Sequence, residues 1–183
     1  MGKEMVLETE RLILRGWRDD DAPSLFEYAK DERVGPIAGW PAHKNVAYSK
    51  AVIRTIFNKR ETYAICLKGT DKPIGSIGLV LDGSPERPLE TGEAELGYWL
   101  GVPFWGRGLA TEAGREMIRH GFQDLDLNRI YCCYFKGNER SRKVQRKCGF
   151  QPHHINTQCK ILMLNEIRTE YINYLDKIDW LRS

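Results

Sequence analysis

The loop Gly101–Ala110 carries the residues with the clearest chemical potential. It follows an alternating segment, Glu93–Leu100, and precedes a segment with helical spacing that begins near Thr111. A helix start leaves about four backbone N–H groups unpaired and carries roughly half a positive charge. The loop's glycines allow the main chain to approach a ligand, and Arg107 adds a positive side chain. The pattern indicates a phosphate site, but a plain strand-to-helix turn explains it equally well.

Two common phosphate motifs do not fit this loop. A P-loop requires G-x-x-x-x-G-K-[ST], whereas Gly106 and Gly108 are followed by Leu-Ala-Thr. The dinucleotide fingerprint G-x-G-x-x-G begins correctly at Gly106, but Thr111 stands where that fingerprint needs Gly or Ala. Neither class of nucleotide-binding protein is therefore favoured.

The elements that must position the loop indicate an α/β (α+β) fold with a mixed sheet. Predicted strands are Arg11–Trp17, Thr62–Lys68, Pro73–Leu81, Glu93–Leu100, Arg129–Phe135 and Lys160–Ile167. Predicted helices follow Asp19–Asp21 and cover Asn45–Lys59, Thr111–Asp124, Asn138–Lys147 and Arg168–Leu181; Gly35–His43 and Leu81–Thr91 are predicted loops. Glu93 and Glu95 should share one face of their strand, opposite Tyr98.

Composition narrows the class of protein. A chain of 183 residues fits one domain, since roughly 150 residues per domain is the usual expectation. A net charge of +3 gives no electrostatic reason to expect nucleic acid or an anionic membrane as a partner. The five cysteines include no C-x-x-C pair, so we expect reduced thiols, no metal site and a cytoplasmic location. No apolar stretch is long enough for a membrane span or secretory signal.

Two segments together resemble the GNAT superfamily of N-acetyltransferases. Gly106-Arg-Gly-Leu-Ala-Thr-Glu-Ala113, after Leu-Gly-Tyr-Trp-Leu, resembles the family's motif A, [RQ]-x-x-G-x-[GA], here on Trp105–Ala110. Asn138–Phe150 is similar to the family's N-x-x-[AS]-x-x-[LV]-Y-x-x-x-G-F. Trp105 replaces the usual Arg or Gln, a departure found in the branch that resembles ribosomal-protein N-terminal acetyltransferases (RimJ/RimL-like). Because Trp105 removes a polar contact, phosphate binding would depend more on backbone N–H groups and Arg107.

The resemblance implies a GNAT fold: a central sheet of about six to seven strands, about four helices, and a coenzyme cleft where central strands splay apart. It implies one N-acetyltransferase domain over residues 1–183, with a core at about 8–170 and a C-terminal tail helix. Acetyl-CoA would be the co-substrate, with no metal, and the protein would be a monomer or homodimer. The implied coenzyme contacts are Leu100, Val102, Trp105, Gly106, Arg107, Gly108, Leu109, Ala110, Thr111, Asn138 and Ser141.

The resemblance also suggests catalytic roles. Glu95 is the first candidate for the base that deprotonates the acceptor amine, and Glu93 is the second. Gln145 occupies the position where many relatives have a proton-donating Tyr. Ser141 is therefore the first candidate for the donor to the leaving thiolate, and Tyr134 is a weaker one.

The acceptor stays open between a protein N-terminal α-amine and a small-molecule amine, and His43 is a candidate for its cleft. The alternative function is a non-catalytic acyl-CoA-sensing module of the same fold. Gln145 favours this alternative, because it stands where many relatives have a proton-donating Tyr. Glu93 and Glu95, the candidate bases, oppose it.

Overall fold

The computed structural model describes residues 5–83 and 88–182, which form one sheet flanked by helices. The strands are β1 Leu7–Glu8, β2 Leu12–Gly16, β3 Thr62–Leu67, β4 Pro73–Val80, β5 Glu93–Leu100, β6 Arg129–Phe135, β7 Gln151–Ile161 and β8 Glu166–Asp176. The α-helices are α1 Ala22–Ala29, α2 Gly35–Ala38, α3 Val46–Val52, α4 Leu109–Arg119, α5 Glu139–Lys147 and α6 Lys177–Trp180. The mixed α/β fold is thus confirmed, with more strands than expected.

One parallel pair interrupts an otherwise antiparallel sheet. Among the strands of the described ranges, the order is β1-β2-β3-β4-β5-β6-β8-β7, and only β5 and β6 run parallel. Parallel neighbours need a crossover connection, and α4 supplies it. The pair is hydrogen-bonded only from Glu93↔Arg129 to Leu96↔Cys132, although β5 continues to Leu100 and β6 to Phe135. The sheet therefore opens in its middle, beyond Leu96 and Cys132.

The hydrophobic core fixes the position of α4 against this opening. Ala94 and Leu96 are buried on one face of β5, in the same cluster as Ala113 and Met117 of α4. The alternating strand and the period of the helix thus place their apolar sides together. Two helical segments continue as wider π-type turns, α3 through Ile53–Phe57 and α4 through His120–Asp124.

The carboxy-terminal predictions were wrong. Arg168–Leu181 was predicted to be a tail helix, but β8 occupies most of it and only the short α6 is helical. The predicted strand Lys160–Ile167 spans the turn between β7 and β8. The physical reason is that aromatic and β-branched residues such as Tyr171, Ile172 and Tyr174 favour strands, and β8 gains ladders on both sides, with β6 and β7.

Two loop predictions had different outcomes. Gly35–His43 contains the short helix α2, which ends at Gly39 with φ of +95°. The predicted loop Leu81–Thr91 lies partly outside the described residues, which stop at 83 and resume at 88. Within the described ranges, every helix is too short or too polar to cross a bilayer.

The core predicts a large difference between two leucine truncations. Leu12 of β2 is fully buried, whereas Leu162, in the turn before β8, is 80% exposed. We expect Leu12→Ala to lower the free energy of unfolding by about 2–5 kcal/mol, because it leaves a cavity. Leu162→Ala should change it by no more than about 0.5 kcal/mol. Urea unfolding of both variants measures this, and equal losses would contradict the assigned core.

Candidate active site

The start of α4 presents a row of backbone amides. Gly106 and Gly108 have φ of +73° and +78°, a left-handed conformation that side chains disfavour. The first amide of the helix with an intrahelical acceptor is that of Glu112, which donates to Gly108 O at 3.0 Å. Among the described residues, the amides from Gly106 to Thr111 have no backbone acceptor in the chain. This helix start can therefore bind an anion.

The turn between β1 and β2 holds this helix start in place. The Arg11 guanidinium donates to Arg107 O at 3.0 Å and to Glu112 Oε2 at 2.6 Å. Thr9 Oγ1 donates to Glu112 Oε1 at 2.6 Å. These contacts fix both the loop and the first turn of α4.

Trp105 has a structural role in the loop. Its indole Nε1 donates to Leu100 O at 2.8 Å, which links the loop back to the end of β5. The Arg140 guanidinium lies over the indole ring, 4.3 Å from the ring centroid. Trp105 thus replaces a polar side chain with an anchor and a platform for a cation.

The opening between β5 and β6 exposes backbone groups of β5. Gly101 N donates to Ile74 O of the preceding β4 segment, so Gly101 faces β4. Residues along an antiparallel strand alternate in the side to which their N–H and C=O groups point. The backbone N–H groups of Tyr98 and Leu100 therefore point into the opening. The carbonyl oxygen of Leu100 already accepts a hydrogen bond from Trp105. The ladder between β5 and β6 ends at Leu96, so it does not extend to Tyr98 or Leu100.

A cavity of about 320 Å³ lies at the start of α4, and we name it the helix-start cavity. It is lined by Val34, Ile37, Ala38, Tyr98, Trp99, Leu100, Phe104, Trp105, Gly106, Gly108, Leu109, Ala110, Thr111, Asn138, Arg140, Ser141, Lys143, Val144 and Lys147. Most of the predicted coenzyme contacts are in this lining. Val102 instead lines a neighbouring opening, and Arg107 stacks on Phe104 with 5.8 Å between its Cζ and the ring centroid.

A second cavity, of about 440 Å³, lies on the other side of the opening, and we name it the glutamate cavity. Glu95 and Glu170 line it together with the aromatic residues Trp40, Phe57, Trp99, Tyr134 and Phe135. Glu93 is placed differently: it accepts hydrogen bonds from Tyr131 Oη at 3.2 Å and from Glu90 N at 3.0 Å. The two glutamates predicted as base candidates therefore have distinct surroundings.

The two cavities meet at the opening of the sheet. Their linings share Ile37, Ala38, Tyr98, Trp99, Asn138 and Ser141. A ligand bound along the α4 amides can thus reach a second ligand beside Glu95 through a common boundary. This geometry suits direct transfer of a group between two bound molecules.

Ser141 lies at that boundary within a hydrogen-bond network. Its Oγ is 2.9 Å from Tyr98 Oη and 3.1 Å from Gln145 Nε2. Gln145 also bonds to Asn173 of β8. Burial raises the pKa of Tyr98 well above its usual value, so the phenol stays protonated. Sequence reasoning missed Tyr98 and Asn173, because only the fold brings these strands beside α5.

Titratable groups in the described ranges do not form a metal-binding cluster. Backbone amides at a helix start, an open strand edge and a carboxylate in an adjoining cavity thus lie together in one candidate active site.

The chain belongs to the acetyltransferase (GNAT) family, whose domain it matches over residues 11–151. It is 33% identical over 150 residues, 79% of this chain and 82% of the relative, to the Bacillus licheniformis protein named "Uncharacterized N-acetyltransferase p20". Over 58 residues, 32% of each chain, it is 45% identical to YdaF of Bacillus subtilis, provisionally named a ribosomal N-acetyltransferase. A GNAT-family acetyltransferase structure from Bacillus anthracis superposes with a TM-score of 0.81 at 20% identity, covering 95% of this chain and 99% of that one. These likenesses agree with the RimJ/RimL-like branch.

His43 generates a pH prediction. It packs behind the wall of the glutamate cavity, where its Nδ1 lies 2.8 Å from Ser49 Oγ and its ring contacts Trp40. Burial lowers the pKa of His43 to about 4, against about 6.5 when unfolded. The unfolded chain then binds more protons between these two values, so stability should fall as the pH drops from about 6.5 to 4. In urea unfolding, the stability of His43→Gln should depend less on pH over this window than that of the wild type. Parallel curves of stability against pH for the two proteins would contradict the lowered pKa of His43.

Proposed function

We propose that this protein transfers an acetyl group from acetyl-CoA to a primary amine by direct attack in a ternary complex. The observation that carries the proposal is the meeting of the two cavities at the opening of the sheet. One side offers unpaired amides for a diphosphate, and the other offers Glu95 for the amine. Reduced cysteines are consistent with our expectation of a cytoplasmic location.

The residues of the helix-start cavity fit a coenzyme with a diphosphate. The amides from Gly106 to Thr111 have no backbone acceptor among the described residues, and Gly106 and Gly108 place no side chain beside them. The N–H groups of Tyr98 and Leu100 would pair with an extended amide-containing arm, as an added strand does. This open edge is limited to the end of β5, because Glu93–Leu96 already pairs with β6.

The glutamate cavity fits a cationic acceptor. Glu95 and Glu170 provide negative charge, and the aromatic walls attract an ammonium group over their faces. An amine must lose a proton before it attacks a carbonyl carbon. Glu95 can take this proton, directly or through water, while the backbone N–H of Tyr98 faces the developing oxyanion.

The glutamate cavity also helps to distinguish an enzyme from a module that only senses acyl-CoA. A module that only bound an acyl-CoA would need the helix-start cavity alone. Here a cavity with two carboxylates adjoins it through six shared lining residues. This arrangement favours an enzyme over the non-catalytic alternative.

Coenzyme binding can be tested with a pair of glycine variants. Acetyl-CoA at 100 times its Kd should stabilise the wild type by about 2.7 kcal/mol, visible as a rise in Tm. Gly106→Ala should lose most of this rise, because its new methyl group points into open space at the cavity. Gly69→Ala is the matched control: Gly69 also has a left-handed φ of +82° and open space around it, but lies in the β3–β4 turn. Equal shifts in both variants would exclude the loop as the coenzyme site.

The two glutamates provide a test of the base. Glu95→Gln should lower kcat by about 10²-fold or more with little change in acetyl-CoA affinity, since it removes the proton acceptor but keeps the shape. Glu93→Gln should stay within a few-fold of the wild type, because the glutamate cavity is lined by Glu95 and not by Glu93. Release of free thiol with a panel of amines measures both variants and identifies the acceptor. Unchanged turnover in Glu95→Gln would remove it as the base.

A further inference from the structure

Gln145 makes three hydrogen bonds that together fix the orientation of its amide. The side chain is almost fully buried, with 1% exposure, and its Oε1 accepts from Asn173 Nδ2 at 2.6 Å. Its Nε2 donates to Cys133 O at 3.0 Å and to Ser141 Oγ at 3.1 Å. A backbone carbonyl can only accept, so the nitrogen must face Cys133 and Ser141. Gln145 is therefore a donor toward Ser141.

Tyr98 is the second hydrogen-bond partner of the same hydroxyl. Its Oη lies 2.9 Å from Ser141 Oγ, closer than the 3.3 Å to Ser141 O. The phenol remains protonated in its buried setting and is a stronger acid than a serine hydroxyl. A serine oxygen has two acceptor positions and one proton. Gln145 fills one acceptor position of Ser141 Oγ, and the hydrogen bond with Tyr98 Oη can run in either direction.

We propose that Gln145 and Asn173 are positioning residues that orient the Ser141 hydroxyl at the boundary of the two cavities. There the hydroxyl donates its hydrogen bond to the thiolate that leaves during acetyl transfer, in the role that Gln145 cannot fill as an acid. This inference rests on the proposed function, because it assigns a residue to that reaction.

The step balances without another reactant. A bond forms between the amine nitrogen and the acetyl carbon, and the bond from that carbon to sulfur breaks with its electron pair on sulfur. Ser141 stabilises this charge through its hydrogen bond while Gln145 donates to its oxygen. Glu95 takes one proton from the amine, and the thiolate finally gains one through solvent, so amine and thioester become amide and thiol.

Variants at Gln145 test the donor arrangement. Gln145→Met keeps a similar volume but removes both donors, so kcat should fall about as far as in Ser141→Ala, on the order of 10²-fold. The KM for acetyl-CoA should stay close to that of the wild type. Adding Ser141→Ala to Gln145→Met should lower kcat little further, because both substitutions disrupt the same hydrogen-bonded arrangement. Gln158→Met, at an exposed site of β7, is the matched control and should keep full activity.

The pH profile separates this role from simple packing. In Gln145→Glu the ionised carboxylate accepts a hydrogen bond from the Ser141 hydroxyl. The protonated acid can instead donate a hydrogen bond to Ser141 Oγ. The ratio of variant to wild-type kcat should therefore rise as the pH falls.

A remote variant gives an independent measurement. Asn173→Asp cannot donate to Gln145 Oε1, so the amide loses the contact that holds it and its hydrogen bond to Ser141 should weaken. We expect a loss of kcat in the direction of Gln145→Met, although position 173 lies on β8, behind Gln145.

Two outcomes would overturn the inference while acetyl-CoA still raises Tm and the wild type still turns over. One is wild-type kcat in Gln145→Met or Ser141→Ala. The other is a double variant whose loss is the product of the two single losses. A wild type that binds no acetyl-CoA would instead defeat the proposed function and, with it, this inference.

Discussion

The structure depends on the early end of the ladder between β5 and β6. These strands pair over Glu93–Leu96 and Arg129–Cys132 and then part, in the middle of an eight-stranded sheet. A central sheet edge normally finds a partner strand, since unpaired backbone groups are costly when buried. Here they face the junction of two cavities instead, so the sheet itself provides a binding edge that an extended ligand can complete.

The site places opposite electrostatic preferences on the two sides of this edge. The start of α4 favours an anion through its amides, and Arg140 stacked on Trp105 adds a cation beside them. The glutamate cavity favours a cation through Glu95 and Glu170. These preferences suit the phosphorylated carrier and the amine that we propose as ligands, one on each side of the edge.

Two departures from the family pattern become understandable as structural substitutions. Trp105 loses a charge but gains an indole N–H that fastens the loop to Leu100 O. Gln145 loses an acidic hydroxyl, but its amide donates to Ser141 and is held by Asn173. In both cases the residue lacks the charged or acidic group that the family pattern has at its position. Its hydrogen bonds instead hold a neighbouring loop or side chain in place.

The sequence alone determined the local units: the bounds of β5 and β6, the glycine loop, and the cap at Asn138, whose Oδ1 accepts from Ser141 N at 3.2 Å. These units depend on alternation, capping and left-handed glycines, which are properties of neighbouring residues. The tail helix at Arg168–Leu181 was predicted wrongly because β8 forms only by pairing with strands distant in sequence. The tertiary structure likewise decided that Glu95 lines the second cavity and that Tyr98 and Asn173 converge on Ser141 and Gln145. Such placements follow from how strands cross and pack, and no local pattern encodes them.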